Sequence, residues 1–294
     1  MRMTRMVAVA AVAALSLGIA ACGGDDSDSG NDSSSGSKDF AAGSTMEKLN
    51  KAQKITIGTK FDQPGFGLKG LDGKPAGFDV EIGKLIADEL GIADDKITWV
   101  ETPSAVREEK IEKAEVDLVV ATYTINDKRK ERIDFAGPYY EAGQNILVKA
   151  DDSSITGPDS FKAGDKKVCS VQGSTPATNI EKYLANKASQ LVVFDVYQKC
   201  VDALTNGQVN AVTTDNVILL GFIARNEGKF KLAGENFTKE PYGIGLKKGD
   251  TAFRTFVNDT LDKIFKDGQW EKAWKDTAGK YVDETPTPPT INRY

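Results

Sequence analysis

The stretch ATYTINDKRKERIDFAGPYY, Ala121 to Tyr140, holds the residues whose types and spacing most invite chemistry. It starts where the apolar run Asp117 to Ala121 ends, and it offers two hydroxyls, Thr122 and Thr124, followed by Arg129. Asn126 is a residue type that caps helices, so a short helix starting there would carry Arg129 in its first turn. Thr124 and Arg129 can then converge on one small anion. A guanidinium fork meets a carboxylate with two parallel hydrogen bonds, a match that lysine lacks. On spacing alone the alternative is a solvated helix in which Arg129 is one cation among Lys128, Lys130 and Arg132.

Other segments place polar residues where a helix follows a strand. CSVQGSTPATN puts Gly173, Ser174 and Thr175 at such a turn, where free N–H groups and the positive helix end suit a carboxylate. NAVTTDNVILL puts Thr214 and Asp215 after a strand. A carboxylate there can take an ammonium, or it can cap the helix that follows. ETPSAVREEKI has Ser104 as a helix cap and Arg107 in the first turn; Arg107 alone also fits a surface i,i+4 ion pair worth roughly 0.3 kcal/mol. GTKFDQPGFGLK, Gly58 to Lys69, sets a lone cation, Lys60, at a strand end before the stiff triplet Pro64-Gly65-Phe66.

Composition removes several chemistries. The chain has no histidine, which excludes Ser-His-Asp and Cys-His catalysis and His-ligated zinc. It has no Gly-Lys-Ser/Thr phosphate loop, so any ATP hydrolysis would belong to other subunits. A net charge of −5 without a basic run argues against nucleic acid. No cofactor is expected.

The elements that must position these residues follow from periodicity. Ile55-Ile57 reads as a strand; Phe78, Ile82, Leu85, Ile86 and Leu90 repeat at helical spacing and stop at Gly91; Ile97 to Val100 is a strand, Ser104 to Ile111 a helix and Asp117 to Ala121 a strand. This β-α-β-α-β order implies a mainly parallel sheet. The pattern recurs from Lys167 to Arg225. Ile146-Leu147-Val148 and Tyr242 to Leu246 read as extended crossovers between the two units. One amphipathic helix is expected over Ala252 to Ala278, then a frayed Pro-rich tail. The fold class is therefore α/β, two lobes joined by two crossovers: lobe 1 over 49–145 plus 243–282, lobe 2 over 146–242 and a tail over 283–294. Such hinged folds bind ligands in the cleft, at the carboxyl ends of strands.

The N-terminus reads as an address. Arg2 and Arg5 precede an apolar run from Met6 to Leu17, too short for a comfortable membrane span. The tetrad Ile19-Ala20-Ala21-Cys22 resembles a bacterial lipobox, with 1–21 as the signal peptide and Cys22 as the lipidated residue. Residues 22–48, rich in Gly, Ser and Asp, form a flexible tether. The expected location is the extracytoplasmic face of the cell membrane, held by the N-terminal lipid. In that compartment Cys169 and Cys200 are a disulfide candidate, the alternative being two free buried thiols.

The Ala121–Tyr140 stretch resembles the signature of the polar amino-acid binding proteins of ATP-driven importers, which have the periplasmic-binding-protein fold, and the likeness extends over both lobes and the lipobox. The resemblance implies that Thr124, Arg129, Ser174 and Thr175 hold a ligand α-carboxylate and that Asp215 and Thr122 take its α-ammonium. It places Arg107 where acidic-amino-acid binders pair with the side-chain carboxylate, and Lys60 where relatives with other ligands carry an acid. Ser104, Phe66 and Thr214 complete the side-chain end, Phe66 with lobe packing as its alternative. The segments GTKFDQPGFG and ETPSAVRE are similar to glutamate-binding subunits. The expectation is a monomeric receptor for L-glutamate, with aspartate as the nearest competitor, that serves permease and ATPase subunits. An extracytoplasmic enzyme or a sensory lipoprotein on the same fold are the competing readings.

Overall fold

The computed structural model describes residues 38–282 and 285–294. The signal peptide, Cys22 and most of the tether lie outside these residues. Helical order starts before the expected tether end at residue 48. Ser44 accepts the Glu47 amide at 3.1 Å and so caps helix α1 (Thr45–Ala52), while Phe40 meets Phe256 edge-on.

The first lobe opens with strand β1 (Ile55–Thr59) and the small antiparallel array β2 (Asp62–Gln63), β3 (Gly67–Lys69) and β4 (Pro75–Ala76). Helix α2 (Phe78–Glu89), β5 (Ile97–Glu101), α3 (Arg107–Glu112), β6 (Leu118–Val119), the one-turn α4 (Asp127–Lys130) and the long β7 (Asp134–Ala142) follow. In α2, Phe78, Ile82 and Ile86 fall on one face and are fully buried, as their spacing requires.

Gly143 alone separates β7 from β8 (Gln144–Lys149), and there the chain changes sheets. The second lobe continues with β9 (Val168–Val171), α5 (Thr175–Asn179), α6 (Lys187–Gln190), β10 (Leu191–Phe194), α7 (Tyr197–Thr205), β11 (Ala211–Asp215), α8 (Asn216–Arg225) and β12 (Phe230–Leu232). Strand β13 (Glu240–Leu246) returns to the first sheet, and α9 (Thr251–Lys266) and α10 (Gln269–Asp276) cover it.

The two five-stranded sheets share one plan. Their orders are β5-β1-β6-β13-β7 and β10-β9-β11-β8-β12. Each has three parallel strands, then one strand from the other lobe that runs against them, then an edge strand antiparallel to that one and so aligned with the first three. The expected crossovers are thus themselves sheet strands, and each mainly parallel sheet carries one strand that runs the other way. The direction follows from entry: a chain coming from the opposite lobe runs against the strands it joins.

Two further expectations are corrected. The single helix over 252–278 is two helices, broken at Gly268, whose φ of 82° no helix tolerates. The Pro-rich tail is not frayed: the Asn292 amide donates to the Gly137 carbonyl at 2.9 Å, the Phe135 amide donates to Tyr294 Oη at 2.8 Å, and Arg293 pairs with Asp259 and Asp262. Cys169 in β9 and Cys200 in α7 are disulfide-bonded, with Cα atoms 5.5 Å apart, so the free-thiol alternative falls.

Candidate functional site

A small cavity lies between the lobes. Ser104, Arg107, Thr122 and Thr124 line it from the first, and Ser174, Thr175, Pro176, Tyr197, Thr214, Asp215 and Ile218 from the second. The fold explains the gathering. In both sheets these residues sit just past the carboxyl ends of strands or at the first turns of the following helices.

In the first lobe, Thr122 adopts a left-handed conformation, φ 45°, which a β-branched residue reaches only under constraint. The constraint is Asp79, from the first turn of α2. Its Oδ2 accepts the Thr122 amide at 2.8 Å and its Oδ1 accepts the Tyr139 hydroxyl at 2.6 Å. Burial pushes the Asp79 carboxyl up to about 6, against these two donors and the nearby Arg107. The Thr122 hydroxyl is itself engaged, donating to Gln63 Oε1 and the Ala121 carbonyl.

Arg107 is buried, not on a surface face. Its Nη1 donates to the Ala121 carbonyl at 2.8 Å and its guanidinium lies 3.9 Å from the Tyr123 ring centroid, while Nε has no partner. The surface ion-pair alternative for Arg107 therefore falls: the first turn of α3 faces inward. Its neighbour Glu108 pairs with Arg129 Nε at 3.2 Å. Asn126 caps α4 as its type suggests, accepting the Arg129 amide at 2.9 Å.

Arg129 reaches across the cleft. Its Nη1 donates to the Thr124 carbonyl at 2.6 Å and to Thr175 Oγ1 at 3.1 Å, and its Nη2 to the Gly173 carbonyl at 3.0 Å. Burial, and Arg107 beside it, pull its pKa down to about 10. The solvated-helix alternative for Arg129 does not hold, because this side chain is buried. The fork is occupied by protein acceptors on both lobes.

In the second lobe Ser174 caps α5, accepting the Ala177 amide at 3.1 Å. Asp215 stands at the N-cap position of α8 but its side chain makes no cap bond, so capping is not its role. Instead Oδ2 accepts the hydroxyl of Tyr242, from β13 of the first lobe, at 2.7 Å. Its Oδ1 is buried without a partner, as is Thr214 Oγ1. Burial drives the Asp215 carboxyl up to about 8, with the buried Glu240 adding repulsion. Buried polar groups of this kind are ordinarily completed by water, an ion or a ligand.

Three expectations are revised by this geometry. Ser104 does not cap α3, whose N-cap position is Val106; its Oγ accepts Lys60 Nζ at 2.8 Å. Lys60 is buried behind Ser104 and does not line the cavity. Burial and the neighbouring Arg107 bring its pKa down to about 7. Phe66 is core, not site: its ring packs edge-on against Phe78, Tyr140, Tyr242 and Trp274, with centroids 6.1 to 6.3 Å away. The remaining expected residues, Thr122, Thr124, Arg107, Ser174, Thr175, Thr214 and Asp215, are brought together on the cavity wall, with Arg129 at its edge.

Sequence reasoning missed Tyr197, Asp79 and Tyr242. Tyr197 opens α7 directly after β10, a strand-to-helix junction of the same kind as those that identified Ser174 and Asp215. Asp79 had a signal too, since an acid inside the apolar face Phe78-Ile82-Ile86 needs a buried partner.

The comparisons agree with this architecture. The "Glutamate-binding protein GluB" of Corynebacterium efficiens is 40% identical over 235 residues, 77% of this chain and 79% of the relative. The "ABC transporter glutamine-binding protein GlnH" of Bacillus subtilis is 38% identical over 269 residues, 91% and 93% of the two chains. Among solved structures, an ancestral arginine-binding protein bound to glutamine superposes with a TM-score of 0.72 at 33% identity, covering 79% of this chain and 99% of that one. These relatives carry the names of binding proteins, not of enzymes. Residues 55–278 match the model of the bacterial extracellular solute-binding proteins, family 3, and the chain belongs to that family.

Proposed function

We propose that the protein captures L-glutamate, with aspartate as the nearest competitor, by lobe closure and delivers it to the permease of an ATP-driven importer. It does so as a monomer anchored through lipid on Cys22 at the outer face of the cell membrane. One observation carries the ligand reading. A buried guanidinium and a buried carboxylate, Arg107 and Asp215, line one cavity, and each keeps an unpartnered atom, Nε and Oδ1. A zwitterion with an extra carboxylate supplies the missing donors and acceptors.

In this reading Asp215 and Thr122 take the α-ammonium. Thr124, Ser174, Thr175 and Arg129 take the α-carboxylate, Arg129 exchanging the Gly173 carbonyl or Thr175 hydroxyl for it. Arg107 takes the side-chain carboxylate, with Thr214 and Ser104 alongside and Lys60 acting through Ser104. Relatives named for glutamate and for glutamine match almost equally well. Arg107 on the cavity wall, with Lys60 behind Ser104 and Asp215 the one acid lining the cavity, tips the choice to glutamate.

A calorimetric screen against the twenty amino acids tests this. Glutamate is expected to bind tightest, and Arg107→Ala to weaken glutamate far more than glutamine. Tighter binding of glutamine or arginine by the unaltered protein, or equal losses for both ligands in the variant, overturns the assignment.

A further inference from the structure

Helix α7 starts without a cap of its own. Its N-cap position is Val196, which has no acceptor to offer the first free amides. The acceptor comes from the other lobe. Asp62, in β2, takes the Tyr197 amide on Oδ2 at 2.7 Å, and the Gln198 amide lies 3.4 Å from the same oxygen. The two partners are 135 residues apart in sequence. Beside this contact Pro64 rests on Gly221 of α8, so the β2 loop meets the second lobe at two points. The side chain of Tyr197, meanwhile, lines the ligand cavity.

We propose that Asp62 is a closure latch, an N-cap supplied in trans to α7 that positions the cavity residue Tyr197 while the lobes are shut. This rests on the reading that ligand capture shuts the lobes. When the lobes part, Asp62 and the α7 amides both return to water, so whatever the cap contributes belongs to the closed form alone. A contact made only after closure slows reopening and leaves the encounter of ligand with the open cleft untouched. Asp62 thereby sets how long the protein holds its ligand without touching it, and its effect is the same for every ligand that closes the lobes.

Stopped-flow fluorescence with L-glutamate and, separately, L-glutamine tests the latch on the unaltered protein, Asp62→Ala and Asp62→Asn. Loss of an N-cap predicts that Asp62→Ala raises the dissociation rate about fivefold, by the same factor for both ligands, with the association rate changed less than about twofold. Asparagine is as good a cap, so Asp62→Asn keeps the original dissociation rate. An unchanged rate in Asp62→Ala overturns the latch. So does an Asp62→Asn rate equal to that of Asp62→Ala, which assigns the effect to the charge of Asp62 acting on Lys60. Failure of the ligand reading shows itself separately, as no binding of either amino acid by the unaltered protein.

Discussion

Gly221 and Pro64 touch across the cleft so closely that a Cβ built on Gly221 would lie 2.5 Å from the Pro64 carbonyl oxygen. One belongs to helix α8 of the second lobe, the other to the loop after β2 of the first. The contact is one of a set that spans the lobes: Tyr242 to Asp215, Arg129 to Gly173 and Thr175, and Asp62 to Tyr197. Thr175, Tyr197 and Asp215 among them line the cavity, so the cross-lobe contacts and the site share side chains.

Gly221→Ala therefore separates closure from folding. Within a helix, alanine is favoured over glycine by up to ~1 kcal/mol, so the ligand-free protein is expected to melt at a higher temperature. In the closed form the new methyl group meets backbone that cannot swing aside. Overpacking of this kind costs roughly 1–3 kcal/mol, about a 5- to 150-fold loss of glutamate affinity. Calorimetry paired with a thermal melt reads both signs. Unchanged affinity would show that the lobes need not come this close.

Asp79→Ala should damage both the fold and the site. The change leaves the Thr122 amide and the Tyr139 hydroxyl without their buried acceptor, at about 1–3 kcal/mol for each unsatisfied group. Thr122, released from its left-handed conformation, would no longer present the same face to the cavity. A denaturant titration is expected to show the stability loss, and binding to weaken beyond it at a temperature where the variant is folded. Normal affinity in a destabilised but folded variant would make Asp79 purely structural.

Much of this was legible in the sequence because it rests on local signals. Helical spacing located α2, a cap residue located α4, and strand-to-helix junctions located Ser174, Thr175, Thr214 and Asp215. What stayed hidden depends on long-range register. Periodicity reports which residues are buried and not which strand lies beside which, so the two antiparallel crossover strands read as connectors. The same limit misjudged Phe66 and Ser104, and it left Arg107 open between a ligand contact and a surface ion pair. A phenylalanine beside a suspected site looks alike whether it faces ligand or core, and a charged helix face looks solvated until a neighbouring strand covers it. Asp79 is legible as an acid that must find a buried partner, but the partners themselves, Thr122 and Tyr139, are 43 and 60 residues away.

The disulfide should matter for stability and little for binding. Cys169 and Cys200 close a loop with a sequence separation of 31. Constraining the unfolded chain over such a loop is worth roughly 3–4 kcal/mol, and both cysteines are buried in the core of the second lobe without lining the cavity. Reduction is expected to lower the melting temperature by several degrees while glutamate affinity, measured well below the transition, stays within about twofold. A large affinity loss on reduction would instead tie the β9–α7 contact to the placement of Tyr197.

Asp215 should make closure depend on pH. With the lobes shut its carboxyl is pushed up to about 8 from an ordinary value of 3.8, chiefly by burial and then by Glu240, whose own carboxyl burial also raises. Tyr242, Arg129 and Arg107 oppose the shift without cancelling it. In an open cleft the same group is solvated and titrates normally. Between these two values the closed form binds more protons than the open one, so acidification from pH 8 toward pH 5 favours closure and a rise in pH opposes it. Above pH 8 the buried carboxylate is ionised with no donor on Oδ1, and the ligand ammonium would supply one. Asp215→Asn, neutral throughout, is expected to make the ligand-free protein more compact at pH 8 and much less sensitive to pH in small-angle scattering. It should still bind glutamate about a hundredfold or more weakly, because the ammonium has lost its charged partner. A radius of gyration that does not change with pH in the unaltered protein, or one that Asp215→Asn leaves equally pH-dependent, would remove Asp215 from the control of closure.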